Sequence, residues 1–301
     1  MKLYLSPVHL FLANKRKKDH NPGPYLGYAY TVPRVRLPEV RGRIYRSAKG
    51  GEALPVLFNI HGGSWIFGDA EGVDLQSQYL ANHLECMVVN IDYRLLDEYP
   101  FPYQQTEVAD TVEYFLARAD EYHILRDHAA VAGYSAGGHI CAGAAMLLRD
   151  RGMKIRTQVL CYPFLNYVNF SLASYVNLTG TRAKALNGLA DKVLFEKMPK
   201  ESVLLSPANA DPADLKGLAD AVIVTSGAGD PLLPQGEAYA EKLRAAGVST
   251  VYKEYEKAVH GFLERNFRDD PAVFANEDPQ DALMRQAVDF IKEQDIFRLK
   301  G

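Results

Sequence analysis

Residues 133–138 read Gly-Tyr-Ser-Ala-Gly-Gly and follow an apolar run that ends at Ala132. They match the G-x-S-x-G nucleophile elbow, where a buried strand turns sharply into a helix and lifts a serine hydroxyl clear of the sheet edge. Glycine is required at positions 133 and 137 because the neighbouring backbones approach too closely for a Cβ atom. A free serine hydroxyl is a weak nucleophile, so Ser135 needs a base and an acid. The alternative is a chance match in a glycine-rich loop.

His260 is the predicted base. It follows the last strand candidate, and so we expect it on a loop at the carboxyl edge of the sheet, where ligands bind in open α/β folds. A neutral imidazole there can take the proton of Ser135 and return it to the leaving group. His61 instead begins a glycine motif and His139 falls on the helix behind the elbow. The remaining histidines have no motif around them: His9, His20, His83, His123 and His128.

Asp230 is the predicted acid, which would hold the imidazole tautomer and stabilise the imidazolium. It lies just past an apolar strand candidate and gives the chain order Ser, Asp, His that suits this type of sheet. Asp211 and Asp220 precede the strand and would lie at its wrong end. The alternative for Asp230 is an Asp-Pro turn without chemistry.

Residues 61–65, His-Gly-Gly-Ser-Trp, predict an oxyanion hole because they come directly after the strand candidate Val56–Ile60. Consecutive glycines let backbone N–H groups turn toward one point. We expect the amides of Gly62 and Gly63 to act together with that of Ala136, the residue after the nucleophile. Each such donor typically contributes about 10²–10³ in turnover.

The composition excludes several other classes of protein. The chain has 301 residues, a formal net charge of −3 and an isoelectric point near 6.3, which give no support to a nucleic-acid partner. There is no phosphate-binding loop, H-E-x-x-H motif or Cys/His cluster, so we expect neither cofactor nor metal. The three cysteines are expected to be buried in a reducing compartment. We find no secretion signal or membrane span and expect a cytoplasmic protein.

From about residue 40 onward, strand-like and helix-like segments alternate, which predicts an α/β fold with a mostly parallel central sheet and helices on both faces. Apolar stripes with helical spacing lie at Val108–Ala119, Tyr239–Ala246 and Leu283–Ile291. The strand candidates are Arg41–Arg46, Val56–Ile60, Met87–Tyr93, Ala129–Gly133, Gln158–Tyr162, Ala221–Ser226 and Thr250–Tyr255.

Residues 164–205 interrupt this alternation with a long insertion rich in Leu, Tyr, Phe and Val. Long insertions in compact domains are usually functional. Because this one follows the strand after the elbow, we expect it to fold over the site as a cap, joined by about residues 1–30. We therefore predict one domain over residues 1–301 that carries these two cap elements.

Seven motifs between roughly Leu54 and Phe262 are similar to those of one known family. They are His61-Gly62-Gly63, Asp92-Tyr93-Arg94-Leu95, Tyr99-Pro100-Phe101-Pro102, Ser135-Ala136-Gly137-Gly138, Ser206-Pro207, Asp230-Pro231-Leu232 and His260-Gly261-Phe262. In these the chain resembles the hormone-sensitive-lipase-like family of α/β-hydrolases, in its bacterial carboxylesterase and acetyl esterase branch. The resemblance implies cofactor-free hydrolysis of short-to-medium acyl esters through an acyl-enzyme, under a helical cap. It assigns the triad to Ser135, Asp230 and His260.

Three positions depart from the family pattern. Ser64 stands where the family usually has a third glycine, which puts activity on tertiary-alcohol esters in doubt. Tyr134 stands where the family usually has Asp, and we expect it to face the site and shift substrate preference. After Leu232 the chain continues Leu-Pro-Gln where the family commonly has charged residues. The last departure does not affect the triad.

The leading hypothesis is a serine carboxylesterase that acts on a small-molecule ester. An amidase or formamidase, or a carbohydrate acetyl esterase, would use the same triad, and a binding protein on a retired hydrolase scaffold is the alternative from another class. Relatives often pair through a sheet edge or the last helix, which allows a homodimer. The expected pocket residues are Ser64, Trp65, Phe67, Tyr134, Phe164, Leu165, Tyr167, Val168, Phe170 and Tyr175, for several of which lid-to-core packing is the alternative.

Overall fold

The computed structural model describes residues 13–17, 23–168, 180, 181, 184, 188, 199, 201–227, 229–265 and 278–298. One eight-stranded sheet carries the described fold, with strand order β1-β2-β4-β3-β5-β6-β7-β8. The first two strands pair antiparallel with their neighbours and the others are parallel. The strands are β1 Tyr28–Val32, β2 Val40–Arg46, β3 Leu54–Ile60, β4 Met87–Asp92, β5 Ile124–Tyr134, β6 Thr157–Cys161, β7 Asp220–Ser226 and β8 Thr250–Tyr255.

Five helices of the described residues cover the two faces of the sheet. They are α1 Asp74–Leu84, α2 Tyr103–Ala117, α3 Ala136–Asp150, α4 Leu233–Ala245 and α5 Pro279–Glu293. The side chains of a strand point alternately to the two faces, and β3 shows this directly. Phe58 packs in the hydrophobic cluster that includes α2, α3 and α4, whereas Leu57 packs in the cluster that includes α1 and α5.

The strand order reverses at β3, which has β4 on one side and β5 on the other. The connection from β3 to β4 contains α1, and the connection from β4 to β5 contains α2, on the opposite face. Ligands of open α/β sheets bind at such a reversal, beyond the carboxyl ends of the strands. Here those ends are Ile60 and Tyr134, next to the glycine motif and the elbow serine.

The structure confirms the predicted α/β fold, and each predicted strand and apolar helical stripe has its counterpart in it. The predicted N-terminal cap element, about residues 1–30, was wrong at its C-terminal end. Residues 28–30 do not belong to a cap but begin β1, which pairs with β2 from Tyr28 to Val32. Most of the predicted cap segments, residues 1–30 and 164–205, lie outside the described residues, so the cap stays a prediction.

Candidate active site

Ser135 stands between β5 and α3 with φ 52° and ψ −114°. Its amide donates to the carbonyl of Cys161 at 2.9 Å, so the turn is tied to β6. A Cβ atom on Gly137 would lie 2.2 Å from the carbonyl oxygen of Ile60, and one on Gly133 would lie 2.2 Å from that of Gly137. Real Cβ atoms do not approach backbone so closely, which confirms the predicted need for glycine at both positions.

Three side chains that are far apart in sequence meet at the carboxyl edge of the sheet. The Nε2 atom of His260 lies 2.8 Å from the hydroxyl oxygen of Ser135, and its Nδ1 atom lies 2.8 Å from Oδ2 of Asp230. Because a carboxylate only accepts, Nδ1 carries the proton and Nε2 is free to accept from Ser135. This is the arrangement of a nucleophile, a general base and an orienting acid.

The carboxylate of Asp230 is nearly enclosed, with 3% of its side chain exposed. It accepts hydrogen bonds from His260, from the hydroxyl of Ser226 and from the amide of Leu232 at 2.9 Å. Burial acts to raise the pKa of Asp230, but these hydrogen bonds and the charge of His260 outweigh it and hold the pKa below its ordinary value. Asp230 is therefore ionised when it faces the imidazole. Ser226, the last residue of β7, is a partner that the sequence motifs did not indicate.

The prediction that Gly62 is an oxyanion donor was wrong. Its amide donates to Oε1 of Glu264 at 2.6 Å, so a substrate oxygen cannot use it without displacing a carboxylate. The next two amides of the loop, Gly63 and Ser64, donate to no acceptor within the described part of the chain. Ala136 is the first residue of α3, where an amide has no partner in its own helix. Gly63, Ser64 and Ala136 are thus the donors that the geometry leaves available.

Glu264 connects the oxyanion loop to the loop of the base. It ends the 3₁₀ turn Phe262–Glu264, four residues after His260, and reaches the amide of Gly62. Burial raises the pKa of Glu264 to about 7, although the Gly62 bond and the charge of His260 act to lower it. No sequence pattern marked Glu264, because its partner is a backbone amide 202 positions away.

His61 holds the start of the oxyanion loop, as its place in the sequence led us to expect. Its ring stacks on Tyr93 at 4.3 Å between centroids, and its Nδ1 atom lies 2.7 Å from the carbonyl oxygen of Gly62. The hydroxyl of Tyr93 donates to the carbonyl of His61 at 3.1 Å. Burial lowers the pKa of His61, so the ring is neutral and packs as part of the scaffold.

Of the ten predicted pocket residues, the structure describes eight, and five of these eight are buried. Ser64 is exposed, and Phe67 and Val168 are accessible, so their place in a pocket stays a prediction. The prediction was wrong for five residues whose side chains are at most 4% exposed and pack into the two hydrophobic clusters of the sheet: Trp65, Tyr134, Phe164, Leu165 and Tyr167. Tyr134 packs in the cluster that includes α1 and α5. Phe170 and Tyr175 lie outside the described residues.

Cys86, Cys141 and Cys161 are free thiols and are buried, as predicted. Within the described ranges, no cluster of three or more His, Cys, Asp or Glu side chains could hold a metal ion. No helix found there is both long and apolar enough to cross a bilayer.

Comparison with known proteins identifies relatives of this chain. The profile of a protein family described as having the alpha/beta hydrolase fold matches residues 57–264. An arylesterase of Saccharolobus solfataricus is 35% identical over 217 residues, covering 69% of this chain and 68% of that protein. The carboxylesterase NlhH of Mycobacterium tuberculosis is 33% identical over 243 residues, covering 77% of this chain and 74% of the relative. The crystal structure of an esterase from Pyrobaculum calidifontis superposes with a TM-score of 0.74 at 30% identity, covering 95% of this chain and 88% of that one.

The chain therefore belongs to the α/β-hydrolase family. The matched segment contains the glycine motif, the elbow, Asp230 and His260, which are the residues that carried the resemblance to the hormone-sensitive-lipase-like branch. That resemblance is confirmed.

Proposed function

We propose that this protein is a serine carboxylesterase that hydrolyses short-to-medium acyl esters through an acyl-enzyme on Ser135. The observation that carries the proposal is the relay in which Asp230, His260 and Ser135 are joined by two contacts of 2.8 Å. The names of the relatives, an arylesterase and a carboxylesterase, support a small-molecule ester as the substrate.

The first half of the reaction forms the acyl-enzyme. Ser135 attacks the ester carbonyl while His260 accepts its proton at Nε2, and the ionised Asp230 stabilises the imidazolium. The carbonyl oxygen becomes an oxyanion, which the amides of Gly63, Ser64 and Ala136 stabilise. His260 then returns its proton to the oxygen of the leaving alcohol, and the bond between that oxygen and the acyl carbon breaks.

The second half releases the acid. A water molecule gives its proton to His260 and attacks the acyl carbon, and the oxyanion forms again at the same amides. The bond to the Ser135 oxygen then breaks, and the proton on Nε2 passes to that oxygen. The enzyme returns to its starting state without a cofactor.

Labelling with a fluorophosphonate tests the nucleophile. Folded wild-type protein is expected to gain one covalent adduct on Ser135, and Ser135→Ala none. If Ser135 stays unlabelled in folded protein, the hypothesis of a serine hydrolase is wrong. The alternative of a binding protein on this fold then remains.

Rates on nitrophenyl esters of increasing acyl length, compared with an aryl formamide and an acetylated sugar, test the substrate class. We expect the highest kcat/KM on short-to-medium nitrophenyl esters. A higher value on the formamide or on the sugar ester would instead identify an amidase or a carbohydrate acetyl esterase that uses the same triad. A cytoplasmic location and a homodimer stay predictions.

A further inference from the structure

Ser64 and Trp65, two consecutive residues of the oxyanion loop, have a backbone conformation that non-glycine residues rarely adopt. Their φ angles are 54° and 63°. A bulky residue with a positive φ is an outlier, and such conformations persist only where surrounding contacts impose them. The loop therefore needs an anchor that holds it in this shape.

The side chain of Trp65 provides that anchor. It is 4% exposed, and its Nε1–H donates to Nδ1 of His139 at 3.2 Å. Its ring also makes edge-to-face contacts with three other rings. The centroid distances are 4.8 Å to Phe164, 5.5 Å to His139 and 5.9 Å to Phe101. His139 itself is completely buried.

His139 belongs to the first turns of the nucleophile helix. Its amide donates to the carbonyl of Ser135 at 3.2 Å, and it lies three residues after Ala136. The Trp65–His139 bond thus joins the two backbone segments that supply the proposed oxyanion donors. One segment holds the amide of Ser64, directly before Trp65, and the other holds the amide of Ala136.

We propose that the hydrogen bond between Trp65 and His139 sets the distance between the two halves of the oxyanion hole, which makes both side chains positioning residues for ester hydrolysis. This inference rests on the proposed function. Donors must lie about 2.7–3.1 Å from the position of the oxyanion, so the spacing of two separate backbone segments has to be held within a few tenths of an ångström.

Ring packing alone does not supply this precision. Edge-to-face contacts tolerate sliding and tilting over a range of centroid distances, whereas a hydrogen bond weakens steeply with angle. A buried indole N–H without an acceptor also carries a desolvation cost, which favours movement of the loop toward water. Because Trp65 donates to Nδ1, His139 must be neutral with its proton on Nε2, and burial lowers the pKa of His139 to about 4.

Replacing His139 by two residues of similar size tests the proposal. Asn places an oxygen acceptor near the position of Nδ1, whereas Leu places none there. We expect His139→Leu to lower kcat about 10-fold, a part of the roughly 10²–10³-fold that loss of a donor costs, with KM nearly unchanged. His139→Asn should keep most of the wild-type kcat. Trp65→Phe, which keeps a ring but removes the N–H, should resemble His139→Leu.

The double variant Trp65→Phe/His139→Leu should be no slower than the slower single variant, because both substitutions remove the same bond. Circular dichroism and thermal unfolding establish that each variant is folded, and Trp65→Phe tests the bond from the other side if His139→Leu does not fold. Equal losses of kcat in the Leu and Asn variants, or wild-type kcat in His139→Leu, would overturn the proposal.

A second measurement needs no substrate. Trp65 is the single tryptophan of the chain, so quenching of its fluorescence by acrylamide reports directly on the oxyanion loop. We expect stronger quenching in His139→Leu than in His139→Asn or the wild type, and equal quenching in all three would contradict the anchor. If the wild type hydrolyses no ester while this difference in quenching remains, the proposed function is rejected and the anchor stands.

Discussion

The hydrogen bond from the Gly62 amide to Glu264 leads to a prediction. It distinguishes the need for a hydrogen-bond acceptor at this position from the need for a negative charge. Glu264→Gln keeps an oxygen that can accept from the amide, whereas Glu264→Ala leaves a buried amide without a partner. A hydrogen bond to a charged group contributes about 1.5–3 kcal/mol. Transmitted to the transition state through the oxyanion loop, this energy corresponds to a loss of roughly 10- to 100-fold in kcat for the Ala variant. The Gln variant should lose only a few-fold.

The Glu264→Gln variant should also change how the free energy of unfolding depends on pH. Burial raises the pKa of Glu264 from 4.5 to about 7, so the folded state holds this proton more tightly than the unfolded state does. Stability from this group is then complete below pH 4.5 and is lost as the pH rises to about 7, at about 1.4 kcal/mol per pH unit. Relative to the wild type, Glu264→Gln should gain under about 1 kcal/mol at pH 5 and about 3 kcal/mol at pH 8.

Two assays check this reasoning. Initial rates of nitrophenyl butyrate hydrolysis provide kcat and KM for the wild type and both variants, and urea denaturation at pH 5 and pH 8 provides the free energies of unfolding. Equal kcat in wild type and Glu264→Ala would refute the role of the acceptor. A stability difference between wild type and Glu264→Gln that does not change with pH would refute the raised pKa.

Three further predictions concern the triad and the elbow. Asp230→Asn should lower kcat by roughly 10⁴, the loss that the same change causes in chymotrypsin, with thermal unfolding nearly unchanged; a loss below tenfold would contradict its role. Ser226→Ala removes a hydrogen bond that helps to lower the pKa of Asp230, so kcat should fall about 3- to 10-fold and acid unfolding should begin at a higher pH. Gly137→Ala should yield unfolded or insoluble protein, because its Cβ would lie 2.2 Å from the carbonyl oxygen of Ile60; a soluble variant with wild-type circular dichroism would disprove this.

The triad was predictable because each member follows a strand. Parallel strands bring their carboxyl ends to one edge of a sheet, so a serine, an aspartate and a histidine placed after three strand candidates must come close together. The apolar runs that lead to Ser135 and Asp230 are strong signals, since the last residues of β5 and nearly all of β7 are buried. The strand before His260, β8, is only partly buried, so its signal is weaker. The edge strand β1 lacked this signal, because three of its five residues are exposed.

The pocket could not be predicted in the same way. The sequence around an aromatic residue in a loop looks the same whether that residue lines a cavity or packs into the core. Trp65 and Phe164 proved to be core residues, whereas Ser64, directly before Trp65 in the chain, is exposed. Only the packing of the helices and loops around the sheet decides between the two outcomes.

The sequence by itself determined the candidate nucleophile, base and acid, because the strand candidates, the glycine spacing and the chain order of Ser135, Asp230 and His260 are enough to predict them. Ester hydrolysis was what the family resemblance implied. The tertiary structure alone decided which amides are free for the oxyanion. Glu264 accepts a hydrogen bond from the amide of Gly62, and His139 accepts one from the indole N–H of Trp65. In both bonds the partners are distant in sequence. Hydrogen bonds that a side chain makes with a distant backbone amide or a distant side chain leave no periodic signal in the sequence, so only the folded chain shows them.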